Sequence, residues 1–460
     1  MKFFYSIKNN LFFVVYFILF TQSAFSQSSG LSPYSRYGLG ELSNQAFARQ
    51  QGMSGTSLAI YDPYGINILN PATYQFAAKP VLEIGTKTSY LKIQSATESQ
   101  KINNTTLNNI AITFPVINQK WGLTFGVIPF SNKGYKVTRI VALDGTEVKE
   151  SYEGEGGITK MFVGNGVRLF SKVDSLQNFT SLAAGFNANY LFGSLLNTRR
   201  TIFPATSVGF INSKIENNTF IRDFSFEAAL HFQTNIIPKK SIKSNYLKLL
   251  AGLNYQLGGN LNAEQSQFAN SFLYSSLGQE LFRDTISVAE NVKGKIYLPS
   301  KIGIGAALDF YTQNNHRWLL ASDISFQNWV QYKESFVQER NYPELVRDQL
   351  FSAGIQFTPD YKTTTNFFKK TEYRMGIKNE FTPLKLKDKK ITDVSISAGL
   401  GMPVFLKSLL THSTFNIGAE MGKRGTTENS LLLENYLNIY VGLTIVPHFR
   451  DQWFVPKKYE

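Results

Sequence analysis

The chain alternates between apolar and polar residues over many stretches of about ten residues. Near the end of the sequence, Leu437, Ile439 and Val441 alternate with Asn438 and Gly442. Side chains along a strand point to opposite faces, so one face can meet lipid while the other meets a polar interior. Runs of about ten residues suit a tilted strand that crosses a bilayer. The pattern predicts an all-β fold, a transmembrane antiparallel β-barrel. A soluble β-sandwich would also alternate, but it rarely needs so many long strands.

The alternation predicts about fourteen strands, an even number as in bacterial barrels. The intervals between them are short and long in turn, as expected if short turns are periplasmic and long loops are outside. The longest, at 132–157, 194–221 and 258–300, are predicted to be outer loops. Because 158–171 and 371–380 alternate least clearly, twelve or sixteen strands stay open. The predicted strands are 81–95, 106–117, 121–131, 158–171, 180–193, 222–236, 246–257, 301–312, 316–331, 350–359, 371–380, 391–403, 412–423 and 431–446.

The first residues, 1–26, have the features of a secretory signal peptide. Lys2 and Lys8 precede an unbroken apolar run at 11–20, and the small residues Ala24 and Ser26 precede a cleavage point. As a helix, ten residues would span about 15 Å, half of a hydrocarbon core of about 30 Å, which disfavours a membrane anchor. We therefore expect an exported protein of the bacterial outer membrane.

Composition narrows the possible functions. Charged residues make up 17% of the 460 residues, below the roughly 25% of soluble domains. The absence of cysteine excludes disulfides, cysteine-ligated metal centres and a thiol nucleophile. The net charge of +14 is dispersed along the chain, so no nucleic-acid partner is expected. Outer-membrane lipid and lipopolysaccharide are the expected surroundings, and one basic group in a predicted outer loop is expected to contact lipopolysaccharide phosphates: Lys385, Lys387, Lys389 and Lys390.

Residues 27–80 do not alternate and are rich in glycine, proline and aromatic residues. Disordered chains are poor in aromatic residues, so these argue for packing. We interpret 27–80 as a hatch that plugs the lumen of a barrel formed by 81–460. A disordered periplasmic leader is the alternative. Asn70-Pro71 is a rigid kink, because proline fixes φ and pushes the preceding residue out of the helical region.

A resemblance to a known family rests on several short motifs. Asn70-Pro71-Ala72 resembles the Asn-Pro-Ala element in the hatch of the long-chain fatty-acid transporter (FadL-type) outer-membrane barrels. The small-residue stretch 52–59 resembles the stretch that precedes this element, and further similarities occur at 129–135, 298–303 and 323–329. Each motif is weakly specific alone, but their order along a pattern of about fourteen strands is more so. The chain is most similar to a divergent branch of the family.

The resemblance implies a fourteen-stranded barrel with an N-terminal hatch that carries hydrophobic molecules such as fatty acids inward. An outer-membrane transporter gated by the hatch is therefore the first hypothesis. Some related barrels are instead subunits of larger outer-membrane machines, including type IX secretion systems. The alternative is thus a non-transporting subunit of a secretion or barrel-assembly complex, with other outer-membrane proteins as partners.

Ionisable residues on the predicted luminal face are the candidate site residues. Arg374 and Lys248 are the first candidates for meeting a carboxylate ligand or holding the hatch, and Glu227 is a further one. These residues could equally pair with one another inside a wet lumen. The full set is Glu83, Lys87, Glu227, His231, Lys248, Asp309, Asp323, Arg374, Lys378 and Glu420.

The sequence contains no recognisable catalytic or metal-binding motif. No Gly-x-Ser-x-Gly sequence is present. The four histidines, at positions 231, 316, 412 and 448, share no metal-ligand spacing. We therefore expect no enzyme activity, no metal and no cofactor, although barrel-embedded phospholipases and proteases exist.

Overall fold

The computed structural model describes residues 32–143, 146–175, 178–204, 209–241, 244–336, 344–363, 366–404 and 412–447. The predicted signal peptide and His448 lie outside these residues. The described strands are β1 (Glu41–Leu42), β2 (Val81–Gln94), β3 (Ser99–Ile117), β4 (Trp121–Asn132), β5 (Tyr135–Leu143), β6 (Thr146–Val173), β7 (Phe179–Ile202), β8 (Asn212–Ile237), β9 (Tyr246–Gln256), β10 (Gly259–Tyr274), β11 (Glu280–Leu298), β12 (Lys301–Tyr311), β13 (Arg317–Asn328), β14 (Lys333–Glu334), β15 (Glu344–Leu345), β16 (Arg347–Thr358), β17 (Glu372–Leu386), β18 (Lys389–Pro403), β19 (Thr414–Gly425) and β20 (Leu433–Ile445).

Helices are short in the described part of the chain. Two are α-helices and four are 3₁₀ helices: α1 (Ala48–Gln51), α2 (Phe367–Lys370), Pro33–Arg36, Pro71–Phe76, Trp329–Gln331 and Glu428–Ser430. None of the described helices has the length and apolar character needed to cross a membrane.

Fourteen of the described strands form one closed antiparallel barrel: β2–β4, β6–β9, β12, β13 and β16–β20. The last strand closes the barrel onto the first, because β20 pairs with β2 from Leu82 opposite Ile445 to Gln94 opposite Leu433. Each of the fourteen predicted intervals holds one of these strands. The predicted fold, a transmembrane antiparallel barrel of fourteen strands, is therefore confirmed.

The period-two pattern arises because the two faces of the barrel wall meet different surroundings. On β12, Ile302, Ile304 and Leu308 point outward and are 39%, 49% and 38% exposed. Asp309 and Ala307 point inward and are buried at 2% and 3%. The outward set forms an apolar surface for lipid, and the inward set meets the contents of the lumen.

The two ends of the barrel differ in the length of their connections. Residues 118–120 and 312–316 form tight turns at one end. Short turns are characteristic of the periplasmic side. We call this the inner end, and the opposite one the outer end.

The long outer intervals are mostly strand, where loops were predicted. The outer part of β8 leaves β9 and pairs instead with β10, from Ile221 opposite Ala263 to Asn212 opposite Phe272. We call this extension the collar: β5, β10, β11 and residues 146–156, 194–202 and 212–221. Its alternation was hard to recognise because burial imposes no period where both faces meet water, as along the exposed residues 280–293 of β11.

Candidate functional site

Residues 32–80, which we call the luminal segment, run through the barrel from the outer to the inner end. At the start, the N–H of Ser32 donates to the carbonyl of Gly134 between β4 and β5, 3.0 Å away. Farther along, Tyr74 lies against Gly122, the second residue of β4 at the inner end. The segment then joins β2 at Val81.

The luminal segment approaches every strand of the barrel. A single chain can touch all walls of a closed barrel only from inside, so residues 32–80 lie in the lumen, and their role as a hatch stays a prediction. One contact for each strand, in chain order from β2 to β20, is Ile66–Glu83, Ala46–Asn108, Tyr74–Gly122, Gln75–Arg168, Ala72–Gly185, Asn70–Leu230, Leu69–Asn254, Leu58–Gly305, Ser57–Asp323, Thr56–Ser352, Arg49–Glu372, Ser54–Ser397, Gly52–Gly418 and Ala48–Gly442.

The Asn70-Pro71-Ala72 motif joins two parts of the segment to the wall. The amide of Asn70 donates to the carbonyls of Leu58 at 2.7 Å and Leu230 of β8 at 3.1 Å. Its side-chain oxygen accepts the N–H of Ala72 at 3.0 Å, which caps the 3₁₀ helix that begins at Pro71. The motif is therefore a buried structural connection between the segment and the wall. Its residues are too enclosed to meet a ligand from either end.

Glycines in the wall let the segment approach at backbone distance. A Cβ atom at Gly252 of β9 would collide with the carbonyl of Leu58, and one at Gly122 would collide with the carbonyl of Tyr74. The absence of side chains at these positions creates grooves that fit the segment's backbone. These glycines are thus part of the surface on which the segment rests.

Asp323 of β13 holds a bend of the segment. One oxygen of its buried carboxylate accepts the N–H groups of Ser57 at 2.6 Å and Leu58 at 2.9 Å. Next along the segment, the carbonyl of Ala59 lies 2.9 Å from Nε2 of His231 on β8. Two luminal residues that the sequence identified therefore bind the backbone of the segment.

Glu227 on β8 is engaged by a lysine from the neighbouring part of the wall. Nζ of Lys160 lies 3.0 Å from one carboxylate oxygen, and Asn187 donates to the other at 3.3 Å. Lys160 also donates to the side chain of Gln45 in the luminal segment. Sequence reasoning missed Lys160, although its even position on β6 between Ile158 and Phe162 identifies it as luminal.

Arg374 on β17 is fully enclosed by partners. Its guanidinium donates to Gln356 at 2.9 Å, to Asn416 at 3.0 Å and to Glu372. Glu372 in turn accepts from Arg49 of the luminal segment at 3.3 Å. These contacts tie the segment to the wall and occupy the groups that a carboxylate ligand would need.

Lys248 on β9 lies near the inner end in an aromatic setting. Its ammonium is 5.9 Å from the ring of Tyr246 and 5.4 Å from that of Tyr311, and it lies 3.5 Å from the hydroxyl of Tyr61 in the segment. The structure gives no contact between Lys248, Arg374 and Glu227. The three candidates therefore act at separate points along the segment rather than forming one pocket.

A second charged group fixes the beginning of the segment to β17–β20. Lys378 lies 3.0 Å from Glu420, and Arg424 lies 2.9 Å from Glu41 of the segment and 3.2 Å from Asp393. The sequence identified Lys378 and Glu420 as luminal. Arg424 was missed because the predicted strand ended at residue 423, one position too early.

At the inner end, the ring of Tyr64 stacks on that of His412 with centroids 3.7 Å apart. His412 lies in the connection between β18 and β19. Burial and, to a smaller extent, the positive charges of Lys79 and Lys370 together lower the pKa of His412 to about 4. The imidazole is therefore neutral at neutral pH, when it packs as an aromatic ring.

A cavity of about 330 Å³ lies between the start of the luminal segment and the outer parts of the strands. Charged and amide side chains such as Glu41, Lys87 and Asn108 line it together with apolar and aromatic ones such as Leu39 and Tyr440. Among the described residues, no group of three histidine or acidic side chains is arranged to hold a metal ion.

Comparisons with known proteins agree with this fold. A protein-family model described as BamG matches residues 7–460. No curated protein matches the chain significantly. Among solved structures, a TodX deltaS2S3 mutant monoaromatic hydrocarbon channel is similar, with 14% identity, coverage of 86% of this chain and 98% of that one, and a TM-score of 0.50.

Two further solved structures have a similar identity, coverage and TM-score. A Pseudomonas aeruginosa FadL homologue is 11% identical, with coverage of 87% of this chain and 97% of its own and a TM-score of 0.49. The Pseudomonas putida toluene transporter TodX is 15% identical, with coverage of 88% and 100% and a TM-score of 0.48. At these identities the similarity concerns the fold alone. The predicted resemblance to FadL-type barrels is confirmed at that level.

Proposed function

The chain belongs to the BamG family, and we propose that it is a closed barrel of the bacterial outer membrane that binds partner proteins in a larger complex. The observation that carries this proposal is the luminal segment, which contacts the wall all the way round and from end to end. Of the two functions considered from the sequence, a closed lumen favours the subunit over the gated transporter.

The contacts of the segment would be costly to break. Lys160 of β6, which is 1% exposed, would lose the side chain of Gln45 in the segment as a hydrogen-bond partner. The charges of Arg49 and Glu372 would be separated at the same time. Displacement of the segment would also leave the carboxylate of Asp323 without its two backbone donors. This supports a segment that stays in place while the protein works.

The collar supplies a surface for partners. Along β11, Phe282 is 62% exposed and Ile286 is 60% exposed, although both lie beyond the barrel strands at the outer end. Large apolar side chains grouped in water commonly mark protein-binding surfaces. In the proposed function, the barrel anchors the protein in the membrane and the collar presents this surface outside.

Purification from native membranes in a mild detergent tests the proposal. The tagged full chain is extracted, and the co-purified proteins and lipids are quantified by mass spectrometry. We expect at least one outer-membrane protein in a fixed ratio close to one per barrel. A barrel that purifies alone, or that carries an apolar small molecule in place of a protein, would overturn the proposal.

Transport of a hydrophobic small molecule is the second candidate. The observation that favours it is the outer cavity, whose volume of about 330 Å³ is within the range of small-molecule sites. Uptake of a labelled fatty acid or of toluene by cells with and without the protein tests this function. Uptake that depends on the protein supports transport, and equal uptake excludes it for these compounds.

A further inference from the structure

Three arginines from separate parts of the chain converge on Tyr152 of the collar. Arg36 comes from the luminal segment, Arg139 from β5 and Arg199 from β7. Their guanidinium carbons lie 4.5, 5.6 and 5.6 Å from the centre of the Tyr152 ring. Guanidinium groups gather around aromatic rings in this way through cation–π attraction.

One carboxylate lies beneath this group, which we call the arginine cluster. Glu150 is 2.6 Å from Arg139 and 2.8 Å from Arg199, and it accepts the hydroxyl of Tyr152 at 2.9 Å. Burial raises the pKa of Glu150, but these hydrogen bonds and charges outweigh burial and lower it to about 2. The carboxylate is therefore ionised and neutralises one of three positive charges.

The arginines, and not the carboxylate, face the solvent. The side chains of Arg139 and Arg199 are 60% and 50% exposed, whereas that of Glu150 is 11% exposed. Glu150 thus orients the guanidinium groups from below and leaves N–H groups available above. Guanidinium forks bind planar oxyanions through paired hydrogen bonds.

The cluster lies on the side of the collar that faces the barrel mouth. Arg199 shares a strand face with Asn197, which accepts hydrogen bonds from Lys133 at 3.3 Å and Tyr135 at 3.1 Å. Lys133 also donates to the carbonyl of Gly38 in the luminal segment, 3.1 Å away. This face is turned away from the lipid surface, which argues against lipid phosphates as the ligand.

We propose that the arginine cluster is a docking site for an acidic segment of a partner protein on the outer side of the membrane. Aspartate and glutamate side chains of that segment pair with the surplus positive charge of Arg36, Arg139 and Arg199. The inference rests on the proposed function, because it assigns a position and a chemistry to the binding of a partner.

Two sets of variants test the site. The first replaces all three arginines by alanine, and a matched control, Arg200→Ala with Lys136→Ala, removes cations that pair with Glu153 on the opposite face of the collar. We expect the triple variant to retain at most one tenth of the wild-type amount of partner per folded barrel. The control is expected to retain the wild-type amount. Replacement of the three arginines by lysine keeps the positive charges but removes the planar guanidinium groups. These lysine variants are expected to recover only part of the binding.

A photo-crosslinking residue identifies what occupies the site without depending on the stability of the arginine variants. It is placed at Thr201, opposite Glu150 in the β6–β7 ladder, and as a control at Thr138, on the other face of β5. A crosslinked peptide rich in aspartate and glutamate from Thr201 alone supports the proposal. A non-acidic peptide, a crosslink to lipopolysaccharide, or full retention of the partner by the triple variant overturns it.

The outcomes separate this inference from the proposed function. If the wild-type protein has no stoichiometric partner, the proposed function fails and the docking site fails with it. If the wild-type protein has a partner, but the arginine substitutions do not reduce its binding and no crosslink to it forms at Thr201, the docking site alone is wrong.

Discussion

The backbone N–H of Ser57 donates to a carboxylate oxygen of Asp323 over 2.6 Å, across the boundary between the luminal segment and the barrel wall. The same oxygen accepts the N–H of Leu58 at 2.9 Å. Because the wall binds main chain here, the position of the bend is fixed by the backbone rather than by particular side chains. The segment is therefore held in place as a part of the folded barrel.

Removal of this carboxylate is expected to destabilise the folded barrel. Asp323→Ala leaves two buried N–H groups without an acceptor, which costs about 1–3 kcal/mol for each such group. The free energy of unfolding in urea, followed by circular dichroism, measures the effect. Asp284→Ala, at an exposed position of β11, is the control and should change stability little. Equal stabilities of the two variants would contradict the role given to Asp323.

The close fit at the glycines gives a second prediction. Gly252→Ala places a methyl group against the carbonyl of Leu58 and is expected to cost about 1–3 kcal/mol as overpacking. Gly259→Ala is a matched control, because a Cβ there has no neighbour within 4 Å. The measurement is the urea midpoint of each refolded variant. A Gly252 variant as stable as the control would show that the segment does not rest on the wall there.

The Lys160–Glu227 pair is expected to behave as a buried ion pair. Lys160→Met and Glu227→Gln each leave one charge unpaired, so each single variant should lose about 3–5 kcal/mol. The double variant removes both charges and should be more stable than the sum of the single effects indicates. A double-mutant cycle on unfolding free energies measures this coupling. Additive effects would show that the two charges do not interact.

His412 should make the protein sensitive to moderate acid. Its pKa is about 4 in the folded protein, against 6.5 for an ordinary histidine. Between these values the unfolded chain binds more protons, so stability falls as the pH drops from about 7 to 4. His412→Phe keeps a ring against Tyr64 and removes the titration, so its stability should fall less over this range.

A pH series of urea midpoints tests the role of His412. The control Gln313→Ala lies in a neighbouring inner turn and removes no titrating group. It should follow the wild type at each pH. Parallel curves for the wild type and His412→Phe would contradict the prediction.

The barrel could be predicted because lipid and lumen impose a strict period of two on its strands. Ile302 and Ile304 face lipid while Gly303 faces the luminal segment, and this order is visible in the sequence. The collar could not be predicted in the same way. Leu281 and Phe282 are adjacent and both exposed on β11, so no alternation marks that strand.

The candidate site could be predicted only in part from the sequence. Parity along a strand identified Asp323, Arg374 and Glu227 as luminal, because each alternates with the outward-facing positions of its strand. Parity could not reveal their partners. Arg49 and Gln45 lie in a segment without a regular period, and only the three-dimensional path of that segment brings them to the wall.

The claim that the protein works with its lumen closed can be tested most directly by locking the luminal segment. The hydroxyl oxygens of Ser54 and Ser397 are 2.8 Å apart, and the chain has no cysteine. Ser54→Cys with Ser397→Cys therefore gives a single disulfide between the segment and β18. The measurement is the amount of partner protein per barrel recovered with oxidised and reduced forms. We predict equal recovery at wild-type stoichiometry, whereas loss of partners on oxidation and their return on reduction would contradict a fixed segment.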